Sequence, residues 1–365
     1  MRHTLRLTLV AVMVAPAPAA GQDGRELYEL GCASCHRADG AGASSDAFAF
    51  DDPLPDFTDC SFASREPDAD WIIVAKAGGP IRGFSESMPS YAEAFDDDQL
   101  GAILEHIRSF CQDRSWPRGE LNMPRPLLTE KAYPEDEAVW TTAVNAENPG
   151  AVINELVYEK RFGARSQIEI KMPFGFAEGP AAAAGEATPG WGAVLGDLSV
   201  GLKHAVAHND QSIFSIAAEV KLPTGDVDRG VGADAVVLEP FVAFGQALPG
   251  DGFLHFQGGV ELSTDTDATD HEAFWRAAVG KTLTSGEFGR AWSPMIEIVG
   301  SRDLVDGADV EWSLVPQMQI TLNTRQHIML NVGVLVPVSN ADARPTRLMV
   351  YLLWDWFDGG FFDGW

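Results

Sequence analysis

The residues with the clearest chemical meaning are two cysteines and a histidine in the stretch Cys32-Ala33-Ser34-Cys35-His36. This C-x-x-C-H spacing is typical of covalent c-type haem attachment, in which both thiols add to the vinyl groups and the histidine binds the iron. A zinc or redox pair is the alternative for the cysteines, but the sequence contains no second C-x-x-C. The motif therefore predicts one covalent haem c held by Cys32, Cys35 and His36.

A second candidate iron ligand is Met88, which precedes Pro89 in a segment rich in turn-forming residues. A thioether in the sixth position raises the haem potential and occupies the place that oxygen would need. We expect Met88 to bind the iron opposite His36, with a packing role as the alternative. This ligand pair predicts an electron carrier rather than an enzyme, whereas an open iron site would favour an enzyme.

Two predicted helices position these residues. The first covers residues 24–31, directly before the motif, and the second runs from Asp98 to Phe110 with apolar residues at helical spacing. Asp96, Asp97 and Asp98 fit a capped helix start. Residues 22–115 resemble a class I monohaem cytochrome c domain. The resemblance implies an all-helical haem fold, outer-sphere electron transfer, and His36 and Met88 as the ligands.

An export signal is predicted at residues 1–20. Arg2 and Arg6 precede a short apolar run, and small residues follow it around a cleavage point near Ala20. Export permits disulfide formation. The remaining cysteines, Cys60 and Cys111, are therefore disulfide candidates, and two free buried thiols are the alternative.

From residue 137 onward the hydrophobic pattern has a period of two, as in Ser212–Leu222. Runs of about ten residues suit tilted strands that cross a bilayer. Eleven such runs are evident, near 151–162, 165–174, 193–206, 212–222, 236–246, 253–263, 271–283, 292–301, 309–322, 327–337 and 346–357. Long polar connections follow the second, fourth, sixth and tenth runs. Outer-membrane barrels have short turns on the periplasmic side and keep both termini there, so their strand number is even. Eleven strands would place the long connections on the periplasmic side. One additional strand upstream, Glu137–Ala146, corrects this and gives 12 strands.

The predicted fold is therefore multidomain: an all-α class I cytochrome c domain, then an all-β antiparallel transmembrane barrel of about 12 strands over residues 137–365. Residues 116–136 contain four prolines and are predicted to be a semi-extended linker. A soluble β-sandwich is the alternative, but the aromatic C-terminus ending at Trp365 favours a barrel. Three stretches, Gly196–Lys203, Val220–Asp226 and Leu238–Phe241, resemble an outer-membrane family associated with phenol-degradation pathways. The overall layout is similar to the fused cytochrome–porins of iron-oxidising bacteria.

The amino-acid composition limits the classes of molecule that this protein can bind. The 365 residues include 26 Lys and Arg against 53 Asp and Glu, a formal net charge of -27. This charge excludes nucleic acid as a partner and disfavours an anionic membrane surface. Hydrophobic residues make up 45% and charged residues 22%, which argues against disorder.

These features lead to three functional hypotheses. The first is a haem electron-transfer protein in the outer membrane of a Gram-negative bacterium, its cytochrome domain in the periplasm exchanging electrons with a redox protein or small redox molecule. The second is a channel for a small organic solute, with the cytochrome as a docking or redox-sensing domain. The third is a haem enzyme. A folded domain of this size, with a radius of gyration near ~13 Å, should not fit inside a 12-stranded barrel.

Overall fold

The computed structural model describes residues 23–43, 54–145, 147, 150–179, 190–284 and 290–356. The predicted signal peptide, the turn residues 148 and 149, and the aromatic C-terminus beyond residue 356 lie outside these ranges. Among the described residues, no helix is both long enough and apolar enough to span a membrane.

Five α-helices form the N-terminal domain within the described residues: α1 (Gly24–Gly31), α2 (Ala33–His36), α3 (Cys60–Ala63), α4 (Asp68–Ala77) and α5 (Asp97–Arg108). Two 3₁₀ turns cover Gly79–Arg82 and Gly119–Leu121. The predicted cap of the last helix is confirmed, because the Asp96 carboxylate accepts from the Gln99 backbone N–H and the Gln99 side chain accepts from the Asp96 N–H.

Helices α1 and α5 cross at close range. A Cβ atom on Gly24 would lie 2.0 Å from the carbonyl oxygen of Ala102, so this position requires glycine. The crossing buries an apolar core that includes Leu27, Tyr28, Leu100, Ile103, Ile107 and Phe57.

A disulfide fastens the other side of this domain. Cys60, the first residue of α3, is bonded to Cys111 beyond the end of α5, with the two Cα atoms 5.1 Å apart. The bond closes a loop with a sequence separation of 51 and ties the α3 region to the last helix.

From Glu137 onward, the strands of the described chain form one antiparallel β-sheet. Its strands are β1 (Glu137–Asn145), β2 (Ala151–Phe162), β3 (Ser166–Glu178), β4 (Trp191–Leu195), β5 (Ser199–His208), β6 (Ser212–Lys221), β7 (Val237–Leu248), β8 (Gly252–Ser263), β9 (Glu272–Lys281), β10 (Leu283–Thr284), β11 (Arg290–Asp303), β12 (Glu311–Thr321), β13 (Ile328–Pro337) and β14 (Arg347–Asp355).

The sheet closes on itself. β1 pairs with both β2 and β14, and β11 pairs with both β9 and β12, so the order returns to its start. β4 and β5 both pair with β3 and together make one wall position, while the short β10 extends β9 along β11. Counted in this way, the described residues form a closed barrel of 12 strands. The predicted strand number and the predicted first strand are confirmed.

The predicted strand over residues 193–206 is interrupted at Gly196–Leu198, between β4 and β5. Pro173 of β3 lies opposite this break and has no N–H with which to continue the ladder. Gly196 instead donates its N–H to the Pro173 carbonyl at 2.8 Å. Asp197 then turns away from the sheet and accepts from the backbone N–H groups of Thr224, Gly225 and Ala233.

The two faces of the sheet have the polarity of a membrane barrel. In β5, Ser199 and Lys203 are buried inside the barrel, whereas Val200, Leu202 and Val206 are exposed on the outside. The same outward apolar exposure recurs around the wall, including Trp140, Phe162, Ile216, Trp292 and Leu352. A continuous apolar exterior of this kind requires lipid rather than water.

Removing the Cys60–Cys111 disulfide should lower the free energy of unfolding of the helical domain by about 2–4 kcal/mol, because the closed loop is long. Urea titration of the full chain in detergent, followed by its helical circular dichroism signal, measures this change. A C60S/C111S double variant should match reduced wild type and should not respond to dithiothreitol. Equal stability of oxidised and reduced wild type would contradict the expectation.

Candidate haem site and its junction with the barrel

The C-x-x-C-H motif is folded into one compact helical turn. Cys32 ends α1, and the four residues of α2 carry Cys35 and His36. The His36 backbone N–H donates to the Cys32 carbonyl at 3.0 Å. This turn presents both thiols and the imidazole on neighbouring positions, as covalent haem attachment requires.

His36 is held in an apolar pocket. Its side chain is only 8% exposed and stacks on Phe57, with ring centroids 4.8 Å apart; Phe57 in turn contacts Trp71 at 5.3 Å. Burial lowers the pKa of His36 to about 4, so the imidazole is neutral at pH 7. A neutral ring keeps a lone pair free for a metal. Its buried Nδ1 has no hydrogen-bond partner among the described residues.

The two motif cysteines are free thiols and half-buried, in contrast to the bonded pair elsewhere in the domain. Burial, assisted by the neighbouring Cys35, raises the pKa of Cys32 to about 11. Two adjacent unbonded thiols, a neutral buried imidazole and an aromatic lining together fit the attachment chemistry of haem c.

Met88 lies at the end of a closed loop that follows α4. Gly79 donates its N–H to the Met88 carbonyl at 3.0 Å, and Met88 donates to the Ser85 carbonyl at 3.2 Å. Three residues later, the Tyr91 hydroxyl donates to the Gly31 carbonyl, which directly precedes Cys32. The half-buried Met88 is thus fixed in a segment that is anchored beside the motif.

The helical domain contacts the barrel at the end that carries the short turns. Arg325, in the turn between β12 and β13, donates to the Gly83 carbonyl at 3.2 Å and lies over the Phe84 ring. Arg165, in the turn between β2 and β3, donates to the Ser115 carbonyl at 2.9 Å. The Met88 loop is therefore in contact with the barrel wall.

Residues 119–136, which we call the lumen segment, enter the barrel from this end and return to it at the start of β1. Leu121 and Tyr133 pack against the inner wall at Ile213, Phe241 and Phe274. Farther along the segment, Met123 contacts Phe253 and Met295, and Leu127 belongs to a buried cluster with Val139, Val315 and Tyr351. Sequence reasoning placed these residues in a linker and missed their location inside the lumen.

Arg125 is the central charge of the lumen segment. Its Nη1 atom donates to Glu137 at 2.5 Å and to Glu159 at 2.9 Å, and both carboxylates project from the inner wall. The Arg125 carbonyl accepts from the Tyr351 hydroxyl at 2.7 Å. One arginine thus joins the segment to strands β1, β2 and β14.

Glu297 of β11 holds the tip of the segment. Its fully buried carboxylate accepts from three successive backbone N–H groups, Leu127 at 2.7 Å, Leu128 at 3.1 Å and Thr129 at 2.9 Å. The Thr129 hydroxyl and the Gln317 amide also donate to it. Successive N–H groups that converge on one carboxylate form an anion nest, which compensates for the burial of its charge.

A signal for this arrangement was present in the sequence. The segment contains large apolar residues and closely spaced charges, and Gly119 is its only glycine. Flexible linkers are instead rich in glycine and serine, so this composition favours a segment that is packed against other residues. Which inner-wall groups it contacts depends on strands up to 226 positions away.

Comparison with known proteins identifies the first domain. Residues 21–110 match the family model for cytochrome c. The chain therefore carries a cytochrome c domain, joined to the closed 12-stranded antiparallel β-barrel described above. No curated protein matches the chain.

The barrel is similar to several solved structures. The NanC porin is 8% identical with a TM-score of 0.44, and the alignment covers 60% of this chain and 99% of that one. The KdgM porin in complex with disordered oligogalacturonate is 7% identical with a TM-score of 0.40 and the same coverage. The β domain of the Bordetella autotransporter BrkA is 13% identical with a TM-score of 0.37, over 61% of this chain and 100% of that one. The barrel architecture itself rests on the strand pairing described above.

Replacing Arg125 with Met should destabilise the folded protein by about 3–5 kcal/mol, because it leaves Glu137 and Glu159 buried without their cation. The shift between folded and unfolded barrel on unheated gels, measured across a urea series, reports this change. Arg302→Met is the matched control, since Arg302 lies at the opposite end of the barrel and, within the described ranges, bonds a loop carbonyl and no carboxylate. Equal urea midpoints for the two variants would contradict the role of Arg125.

Proposed function

We propose that this chain is a monohaem electron-transfer protein of the outer membrane, in which Cys32 and Cys35 would attach the haem and His36 and Met88 would bind its iron. The main support for this proposal is the C-x-x-C-H turn, in which a buried, neutral His36 lies beside two free thiols inside a cytochrome c domain. When bound, haem c supplies a reversible one-electron couple.

The residues around the motif support electron transfer rather than turnover of a substrate. Phe57 and Trp71 shield His36 from water, and the loop that ends at Met88 carries a thioether that would serve as a second iron ligand. A thioether ligand leaves no open iron position for oxygen or another small substrate. The proposed role is therefore that of a carrier, not an enzyme.

The placement of the cytochrome domain supports a periplasmic location. The domain contacts one end of the barrel through Arg165 and Arg325. The strand connections at this end are short turns, which cover residues 163–165, 209–211, 249–251 and 322–327. The opposite end has the longer described connections, at residues 222–236, 264–271, 304–310 and 338–346. In outer-membrane barrels short turns face the periplasm, so we place the haem domain there.

The exposed surface of the cytochrome domain suits a basic partner. Helix α1 and the start of α5 present the exposed carboxylates of Glu26, Glu29, Asp97 and Asp98 to solvent. An acidic field of this kind accelerates the encounter with a basic redox protein at low salt. The proposed exchange is with a periplasmic carrier, because one haem at the barrel end cannot relay electrons across an apolar band about 25 Å tall.

The barrel serves as the anchor in this proposal. The lumen segment fills the interior with buried side chains that are bonded to the wall, from Leu121 to Glu135. A passive channel for an organic solute needs an open lumen, so the segment favours the anchor role over the channel role.

An optical spectrum of the purified holoprotein tests the ligand assignment. The oxidised wild type should show the weak sulfur-to-iron charge-transfer band of a low-spin His–Met haem. Met88→Ala should lose that band and become high-spin or bind an external ligand.

Met123→Ala is the matched control, because Met123 lies inside the barrel. Its spectrum should equal that of the wild type. A high-spin wild type that binds external ligands would reject the carrier assignment and favour a haem enzyme.

Liposome swelling tests the anchor role. Wild type should admit small sugars no faster than protein-free liposomes. A variant in which residues 121–134 are replaced by a Gly-Ser segment of equal length, and whose barrel the unheated gel shift shows to be folded, should admit them faster, because the bulky side chains that fill the lumen are gone. Rapid, solute-selective flux through the wild type would instead support the channel hypothesis.

A further inference from the structure

Three glutamates form a row on the inner wall of the barrel. Glu137 of β1 is directly opposite Glu159 of β2, and Glu159 is directly opposite Glu169 of β3. Like charges at directly opposite positions of neighbouring strands destabilise a sheet unless cations separate them. Arg125 forms ion pairs with the first two of these residues, and its ion pairs within the described residues do not extend to Glu169.

A fourth carboxylate faces this row from the lumen segment. Ligand oxygens of Glu130, Glu159 and Glu169 all lie within 4.8 Å of one another. The three residues are 7%, 0% and 7% exposed. Three carboxylates from two strands and an inserted segment thus converge on one point that water hardly reaches.

The ion pairs that reach these three carboxylates from Arg125 and Lys171 involve one oxygen of each. Arg125 approaches the Oε1 atoms of Glu130 and Glu159, at 3.6 and 2.9 Å. Lys171 approaches the Oε1 atoms of Glu130 and Glu169, at 3.2 and 3.0 Å. The Oε2 atoms of Glu130 and Glu159 are buried and have no hydrogen-bond partner in the described part of the chain. Buried carboxylate oxygens without a partner are costly.

The buried carboxylates in this part of the lumen outnumber the cations. Within the described residues, ion pairs link six carboxylates to three cations in one network: Glu130, Glu135, Glu137, Glu159, Glu169 and Glu219 with Arg125, Lys131 and Lys171. Lys203, whose ammonium donates to the Lys131 carbonyl, adds a fourth cation. Carboxylates therefore outnumber cations in this buried network, and either a divalent cation or bound protons would balance the excess negative charge.

We propose that Glu130, Glu159 and Glu169 bind one divalent metal ion inside the barrel. An all-carboxylate set favours a hard cation such as Ca²⁺, which takes six to eight oxygens at about 2.3–2.6 Å. Gly201, opposite Glu169 on β5, has no side chain, and a small cavity there is bordered by Glu130 and Glu169, although not by Glu159. The ion joins the lumen segment to the wall at β2 and β3, and this role is independent of the haem assignment.

Calcium titration of the full-length protein in detergent, after dialysis against EDTA, tests the proposal. Isothermal titration calorimetry should show a Ca²⁺ site in the wild type that is weakened at least about tenfold in Glu159→Gln and in Glu130→Gln. Glu261→Gln is the matched control, because Glu261 also lines the lumen but pairs with Lys221 outside the cluster. It should keep the wild-type affinity.

Two test variants at different positions distinguish a loss of Ca²⁺ binding from a folding defect. Glu159 lies on the wall and Glu130 on the lumen segment, and the unheated gel shift shows whether each barrel is folded. As a second readout, EDTA should lower the melting temperature of the wild type and of Glu261→Gln but leave folded Glu130→Gln unchanged. Absence of Ca²⁺ binding by the wild type would overturn the proposal and assign the charge balance to protons. Wild-type Ca²⁺ affinity in both folded variants would place any bound ion elsewhere and would overturn it equally.

Discussion

The constraint on which this structure depends is the burial of charge inside a barrel whose outer face is apolar. Because lipid contacts the outer wall, the polar residues of each strand face inward. At the level of Glu137 and Glu159, those inward groups are carboxylates that need a cation. Arg125 of the lumen segment supplies this cation. The same segment therefore fills the barrel and neutralises the carboxylates of its wall.

This arrangement also sets the position of the cytochrome domain. The lumen segment enters and leaves the barrel at the same end, so the domain that precedes it is held against the short turns. Arg65 of the domain is paired with the buried Asp136, immediately before β1, at 2.7 Å. Arg325 reaches from a turn to the loop that carries Met88. Contacts at Asp136 and at Gly83 therefore join the cytochrome domain to the barrel.

The contrast between Glu297 and the Glu130 cluster shows two ways to bury a carboxylate. Glu297 needs no ion, because three backbone N–H groups, a hydroxyl and an amide satisfy it. Glu130 and Glu159 each keep one oxygen without such donors. Backbone and side-chain donors of the chain stabilise the first carboxylate, whereas the proposed metal ion would compensate the second pair.

The sequence by itself determined the local chemistry and the strand count. Cys32 to His36 form their site within one helical turn, and period-two patterning together with loop parity required 12 strands starting at Glu137, since both signals are local. Only the tertiary structure decided where residues 119–136 lie. Arg125 finds its partners on strands that become neighbours when the barrel closes, and neither spacing nor composition encodes such distant pairings. The break at Gly196–Leu198 has the same origin, because it depends on the proline that pairing places opposite it.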